Sequence, residues 1–277
     1  MKKISDEGKL YLLHLNLPLE TPTENYLKRI CQAHLTTFPF ENISKLLSFR
    51  DKDVNIPSYS QFVKNFTASH FGGTCYTLNS NLIVLLKELG FACHLAMLGN
   101  QHMAIIVNID SEKMYVDCGA AAPMFKPVRF ESDHQNSSRF GEDYVNIVPA
   151  SSENNSYRYI RYIRGKQSGK AWNFDSKKAY EVNDFADIIQ KSYIPQAAFM
   201  SMLRCQLWQI DQNRNVSLVN NQLGIRYSNG QTITKTLSCI SEIEEVMANE
   251  FLLSKLPVAE AIEVLKSLGV DVFSERA

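Results

Sequence analysis

The stretch "FGGTCYTLNSNLIVLLKELG", Phe71 to Gly90, sets a thiol behind two glycines and directly ahead of a long apolar segment. Cys75 is therefore expected at the start of a helix. A thiol attacks as its thiolate, and the positive end of a helix dipole favours that form. Gly72 and Gly73 let the backbone turn tightly and let a substrate come close. N–H groups of the same backbone could face a developing oxyanion. The segment has a second reading, in which Cys75 is a small apolar residue that opens a core helix. On this stretch alone both readings stand.

A nucleophilic thiol needs a base, and six histidines are available. His102 opens a clean strand, "HMAIIVNI", and Asp117 follows fifteen residues later in "MYVDCG". If the turn between them centres on Ile109 and Asp110, the hairpin sets His102 opposite Asp117. A two-residue turn at Asp110-Ser111 sets them diagonally, still on one face. An imidazole beside a carboxylate is held in one tautomer and stabilised when protonated, as a general base for a thiol requires. A register shift of one residue would turn the two side chains to opposite faces, so spacing also admits an unrelated His and Asp in a sheet. His14, His34, His94 and His134 offer no such arrangement and read as surface or satisfied core residues, and His70 reads as a polar loop residue.

The elements that must position these groups follow from periodicity. Leu27, Ile30, Cys31 and Leu35 recur at helical spacing after a Thr23 N-cap, and Phe38-Pro39 ends that segment. Leu78, Leu82, Leu85, Leu86 and Leu89 mark a buried helix that Gly90 caps. From Phe91 the period changes to two, with "HLAML", "HMAIIVNI" and "MYVDC" divided by Gly99-Asn100 and Asp110-Ser111. "ESDHQNSSRFGED" reads as a surface loop, and "YRYIRYI" as a strand leading to a loop with Gly165, Gly169 and Trp172. Asn229-Gly230 predicts a hairpin, Ser241 with Glu244 predicts a capping box, and "VAEAIEVLKSLG" predicts a last helix. Helices, then strands, then a mixed tail predict an α+β protein in three parts.

Composition narrows the function. The 277 residues are 45% apolar and 21% charged, with 29 basic and 29 acidic side chains, a balance that gives no electrostatic footprint for nucleic acid or an anionic membrane. The basic face of "YRYIRYIRGK" therefore reads as a solvated strand face, and Trp172 and Trp208 as packing residues. The start "MKKISDEGKLYLLHLNLPLE" lacks the apolar run of a secretory signal, and the longest apolar runs, Leu82–Leu86 and Met103–Val107, are too short to span a bilayer. The six cysteines form no Cys-x-x-Cys pair, so no metal site is expected and each thiol is expected to be free in the cytoplasm.

Four short segments carry a resemblance. "FPFENI" at 38–43, "GGTCYTLN" at 72–79, "HMAIIV" at 102–107 and "VDCG" at 116–119, in this order and at these separations, resemble the arylamine N-acetyltransferase family. "DFADIIQKSYIPQAAF" at 184–199 resembles the family's linker into its last domain, so the likeness covers nearly the whole chain. The resemblance implies a papain-like cysteine-protease-type core of three parts: a helical bundle over 1–90, a central β-barrel over 91–190 and an α/β lid over 191–277. It implies that Cys75 is the nucleophile, His102 the base and Asp117 the orienting acid. Acetyl-CoA would act as co-substrate, with no permanently bound cofactor, and would acylate Cys75 before an amine or hydrazine takes the acyl group. Phe40 and Phe199 match aromatics that line the substrate cleft, and Gly119 follows the acid close to bound CoA.

The chain also departs from that pattern. The family usually has Arg-Gly-Gly-x-Cys-x-Glu-x-Asn around the nucleophile, whereas Phe71 stands here in place of the Arg and Thr77 in place of the Glu. Glu41 is therefore expected to lack a cationic partner, and a buried unpaired carboxylate tends to protonate. The usual Gly-Phe-Gly after the acid is Gly119-Ala120-Ala121, and Gln101 replaces the usual Thr before the base. Two other readings of the scaffold are a cysteine hydrolase or amide synthase, and a non-catalytic relative that binds CoA or a partner protein.

The resemblance implies that an aromatic at position 120 helps wall the acceptor pocket, so Ala120 generates a testable expectation about the acceptor. A buried aromatic ring contributes up to about 3–5 kcal/mol of contact, part of which nearby Met124 or Phe125 could restore. Weak selection among small arylamines is expected, with bulkier amines and hydrazides tolerated. Ala120→Phe should sharpen kcat/KM toward small flat arylamines in a panel of amines of rising size. A wild type that already prefers small arylamines strongly, with the ranking unchanged in Ala120→Phe, would remove this position from the acceptor pocket.

Overall fold

The computed structural model describes residues 4–151 and 155–274. Its elements run in chain order as α1 (Asp6–His14), α2 (Glu24–Thr37), β1 (Phe40–Glu41), α3 (Ile43–Arg50), α4 (Tyr59–Ser69) and α5 (Cys75–Glu88). Strands β2 (Ala92–Leu98), β3 (His102–Ile109), β4 (Glu112–Val116), β5 (Val128–Arg129), β6 (Ser137–Phe140), β7 (Asp143–Pro149), β8 (Ser156–Ile163) and β9 (Lys166–Asp175) follow. The remainder holds α6 (Ala186–Ser192), β10 (Arg204–Gln209), β11 (Arg214–Val219), β12 (Gln222–Tyr227), β13 (Thr232–Thr236), α7 (Ile240–Asn249) and α8 (Val258–Ser267). The α+β class read from periodicity holds.

These elements form two compact units: the residues up to Thr37 with Cys75–Phe185, and Phe38–Thr74 with the residues from Ala186 on. In the first unit α5 packs on β2 and β3. Leu78, Leu82, Leu85 and Leu86 of α5 are fully buried. Burial also explains the unbroken apolar run of β3: every residue from His102 to Val107 is buried, so the strand has no solvent face that would impose alternation. The central strands pair as two antiparallel sheets, β2-β3-β4-β5 and β6-β7-β8-β9, with no closed barrel found among the described residues. The two sheets are linked where Gly99 N–H donates to the Asn173 carbonyl at 3.0 Å.

The β3–β4 hairpin decides whether a histidine and an aspartate can meet. Asp110 and Ser111 both have positive φ, 50° and 64°, as a two-residue turn of the favoured handedness requires. The register runs from Ile109↔Glu112 to Ile105↔Val116. Continued by one step, it sets Asp117 opposite Ala104, diagonal to His102 and on its face. Of the two turns the sequence allows, the Asp110-Ser111 turn is the one that forms.

The second unit is a sheet of order β1-β10-β11-β12-β13 covered by helices, with α3 packed on α8. Ile43, Leu46, Leu218, Ile243, Phe251 and Leu265 are fully buried in its core. Phe40 and Glu41 pair with Gln206 and Cys205, which ties the "FPFEN" segment to the C-terminal third.

Three local expectations are corrected. The polar stretch read as a loop contains β6, because Ser137–Phe140 pairs with β7 through backbone bonds that need no apolar pattern. The Gly165–Trp172 region read as a loop is mostly β9, paired with β8 around an irregularity at Ile160/Tyr162. Helix α7 starts earlier than a Ser241–Glu244 box would set it. Its N-cap is Cys239, without a side-chain capping bond, and Glu242 instead accepts from Ser238 N–H at 2.7 Å.

His34 carries a stability prediction. Its Nε2 is hydrogen-bonded to Tyr11 Oη at 2.8 Å, and burial pushes its pKa down to about 3 from 6.5. The unfolded chain therefore takes up a proton as pH falls below about 6.5, while the native chain does not until about 3, so stability is lost on acidification. In urea titrations, His34 should contribute a slope of about 1.4 kcal/mol per pH unit between those limits. His34→Gln should flatten the acid limb by that amount, and parallel curves for the two proteins would refute the assignment.

Candidate active site

The site is built outward from a buried charge. Asp117 lies one residue past β4 and is 0% exposed. Its Oδ2 accepts from His102 Nε2 at 2.7 Å and from Tyr115 Oη at 2.8 Å. Its Oδ1 accepts from Asn79 Nδ2 at 2.8 Å and from Gly119 N–H at 3.0 Å. A carboxylate removed from water is tolerated only when its lone pairs are met by donors, and these four meet them. Burial and the adjacent Asp117 raise the Tyr115 phenol well above its ordinary range, so it stays a donor.

Asn79 connects this carboxylate to the helix that begins with the thiol. Residues four apart share a helix face, so Cys75 and Asn79 project together from α5. Asn79 Nδ2 also donates to Met103 O at 2.6 Å, and its Oδ1 accepts from Cys118 N–H at 3.1 Å. One amide thus fixes α5 to β3 and to the segment after β4.

His102 is 5% exposed at the head of β3. With Nε2 directed at Asp117, Nδ1 is the nitrogen left for the thiol, and the ring is hydrogen-bonded to the Cys75 side chain. Burial opposes a charge on the ring. The charge of Asp117 and the sulfur of Cys75, with hydrogen bonds to both, outweigh it and push the pKa up to about 10. The imidazole is thus set up as an imidazolium beside a sulfur, the arrangement that supports a thiolate nucleophile. Tyr76 Oη donates to Gln101 O at 2.8 Å and holds the residue before His102. Trp172 lies face to face with the imidazole, centroids 4.7 Å apart and planes 12° apart.

Cys75 is 8% exposed at the first position of α5. Gly119 sits directly against it: an added Cβ would come within 2.6 Å of Cys75 Cα and 2.8 Å of Asn79 Nδ2. Only a residue without a side chain fits there, whatever its φ. The backbone of the next two residues is held by Arg161, whose guanidinium donates to Ala121 O at 2.9 Å.

The structure therefore brings Cys75, His102, Asp117 and Gly119 together. Phe40 and Phe199 lie in the second unit, packed edge to face at 5.3 Å, and Asn42 Nδ2 donates to Phe199 O at 2.9 Å. In the same unit Glu41 is fully buried. It accepts from Ser44 N–H at 2.8 Å, Ser44 Oγ at 2.6 Å and Gly72 N–H at 3.1 Å. Burial raises its pKa against those bonds, and no cation contributes. Sequence reasoning missed Asn79, Tyr115 and Trp172. The i, i+4 spacing from Cys75 and the i−2 spacing from Asp117 could have found the first two, whereas Trp172 gave no signal. Among the described residues no group of three His, Cys, Asp or Glu could hold a metal, and no helix is long and apolar enough to cross a membrane.

A Cys-His-Asp arrangement at a helix start and strand head, on this α+β frame, defines a cysteine-dependent acyl-transfer scaffold. The N-acetyltransferase family model matches residues 24–257, and the chain belongs to the arylamine N-acetyltransferase family. The arylamine N-acetyltransferase of Salmonella typhimurium superposes with a TM-score of 0.80 at 16% identity, over 96% of this chain and 100% of that one. The Bacillus cereus enzyme, reported with a unique Cys-His-Glu catalytic triad, gives 0.72 at 19% identity, over 90% and 98%. The Mycobacterium marinum enzyme in complex with CoA gives 0.70 at 17%, over 94% and 97%. A direct search of curated proteins finds no match.

Thiol reactivity tests the geometry. Cys75 is not the only accessible thiol. Cys239 is exposed, and hydrogen bonding from Ser241 lowers its pKa, whereas burial raises Cys93 to about 11. Iodoacetamide near neutral pH should label Cys75 and Cys239 first, followed by mass spectrometry. Asp117→Asn should slow Cys75 at least about a hundredfold, because the imidazole loses its orienting charge, and leave Cys239 as an internal reference. An unchanged Cys75 rate would show that Asp117 does not support the base.

Proposed function

We propose that the protein is an acetyl-CoA-dependent N-acetyltransferase that works by a ping-pong route through a thioester on Cys75. The observation that carries this is the buried His102–Asp117 pair at 2.7 Å with Cys75 hydrogen-bonded to the same imidazole, in a chain of the arylamine N-acetyltransferase family. In the first half-reaction Cys75 Sγ attacks the acetyl carbonyl. The carbon–sulfur bond to CoA breaks, and His102 gives its Nδ1 proton to the departing sulfur. In the second, the amine attacks the thioester carbonyl and His102 Nδ1 takes its proton. The bond to Cys75 breaks, releasing the amide and restoring the imidazolium–thiolate pair. Asp117 stabilises the imidazolium in both halves and is not itself protonated.

Phe40, Phe199 and Gly119 carry over from the family as substrate contacts. The CoA complex of the Mycobacterium marinum enzyme supports CoA as the leaving group. The acceptor is a small amine or hydrazine, and no nucleic-acid partner belongs to this reading. Six free thiols suit a reducing compartment, and a cytoplasmic location is part of the proposal.

Mixing the protein with acetyl-CoA and no amine should release one equivalent of CoA in a burst, with the acetyl group on Cys75, followed by slow hydrolysis. Covalent catalysis splits the reaction at the thioester, and the burst is its kinetic signature. Sustained rapid release of CoA would identify a hydrolase, and no release would identify a binding protein.

A further inference from the structure

We propose that Trp172 is a positioning residue for the base: its indole, stacked on the imidazole of His102, fixes the plane in which Nδ1 meets Cys75 and keeps water from that face of the ring. The inference rests on the reading of His102 as the base. The spacing of 4.7 Å and the 12° interplanar angle leave no layer of water between the two rings. A ring face carries negative charge density, so the stack favours the protonated imidazole.

The surroundings hold the indole in that place. Trp172 is a register partner of Tyr159 on β8, and the Tyr159 ring packs on it at 5.3 Å. The next residue, Asn173, accepts the Gly99 N–H at 3.0 Å, which ties β9 to the turn three residues before His102. That turn is cut to fit. Gly99 has φ +54°, and an added Cβ would lie 2.6 Å from Trp172 Cδ1, so a side chain there would displace the indole. A tryptophan that merely filled space would need neither the parallel stack nor the side-chain-free turn.

The charge on the ring can be read directly, because a protonated imidazole against an indole quenches its fluorescence. The titratable groups acting on His102 are Asp117 and Cys75, with Tyr115 bonded to Asp117 and Tyr159 packed on Trp172. Burial raises the phenol of Tyr159, as it does that of Tyr115, so neither phenol is ionised near neutral pH. The chain has two tryptophans, and Trp208→Phe isolates Trp172. Its emission should be quenched at neutral pH and should rise as pH passes about 10, where His102 loses its proton. His102→Gln removes that step and corrects for other tyrosines.

Reactivity supplies the second readout. Trp172→Phe, which keeps a stacking ring, should retain Cys75 alkylation within about threefold of wild type, whereas Trp172→Leu should lose at least about tenfold. In the acylation half-reaction the Trp172→Leu loss should fall on kcat, with KM for acetyl-CoA within about twofold. Fluorescence and alkylation need no acetyl-CoA, so failure of the acetyl-transfer reading would leave both results intact. The role of Trp172 is overturned if its emission ignores the charge on His102, or if folded Trp172→Leu alkylates at the wild-type rate.

Discussion

A carboxylate with no access to water is the constraint on which the site depends. The Asp117 carboxyl is tolerable in the interior because four donors converge on its two oxygens. Each donor belongs to a different piece of local structure: the head of β3, the end of β4, the first turns of α5 and the backbone just after the acid. Satisfying one charge therefore requires all of them to be in register. The imidazole gains its raised basicity from the same arrangement, since burial alone would push it the other way. Folding and function share a single electrostatic condition.

Asn79 shows how that condition reaches Cys75. Its amide donates to Asp117 and to the Met103 carbonyl and accepts from Cys118 N–H, so every hydrogen bond is made to a site element or its flank. The helix register that brings Asn79 to Asp117 also brings Cys75, four residues earlier, to His102. Gly119 completes the fit by letting the loop lie on the helix start. A larger residue at either place would move sulfur and nitrogen apart, and proton transfer tolerates little displacement.

The parts legible in the sequence were those with local causes. The glycine turn, the helix behind Cys75 and the two-residue turn at Asp110-Ser111 are short-range, and parity along β3 and β4 then decides that His102 and Asp117 share a face. Long-range pairings were not legible. The two residues of β1 join β10 more than a hundred and fifty positions away, too short a segment to show any period. Strand β9, "KQSGKAWNFD", carries a glycine, lysines and an asparagine where a strand pattern would show alternation. Trp172 therefore read as a packing residue in a loop, and its place on His102 emerged only from the fold.

Two fully buried carboxyls, Asp117 and Glu41, show what the drift around Cys75 means physically. Asp117 has the imidazole of His102 as its partner at 2.7 Å. Glu41 accepts hydrogen bonds from Ser44 and Gly72, and burial raises its pKa against them. The residue that the family usually supplies as its arginine is here Phe71, which packs against the apolar core of the second unit. An aromatic ring in that place supplies no charge to offset the rise that burial causes in the Glu41 carboxyl. The bond from Gly72 N–H survives either way, because both forms of the carboxyl present an acceptor oxygen. The change from arginine to phenylalanine is thus compatible with an unchanged turn three residues before Cys75. What it alters is the charge balance of the second unit's buried interior.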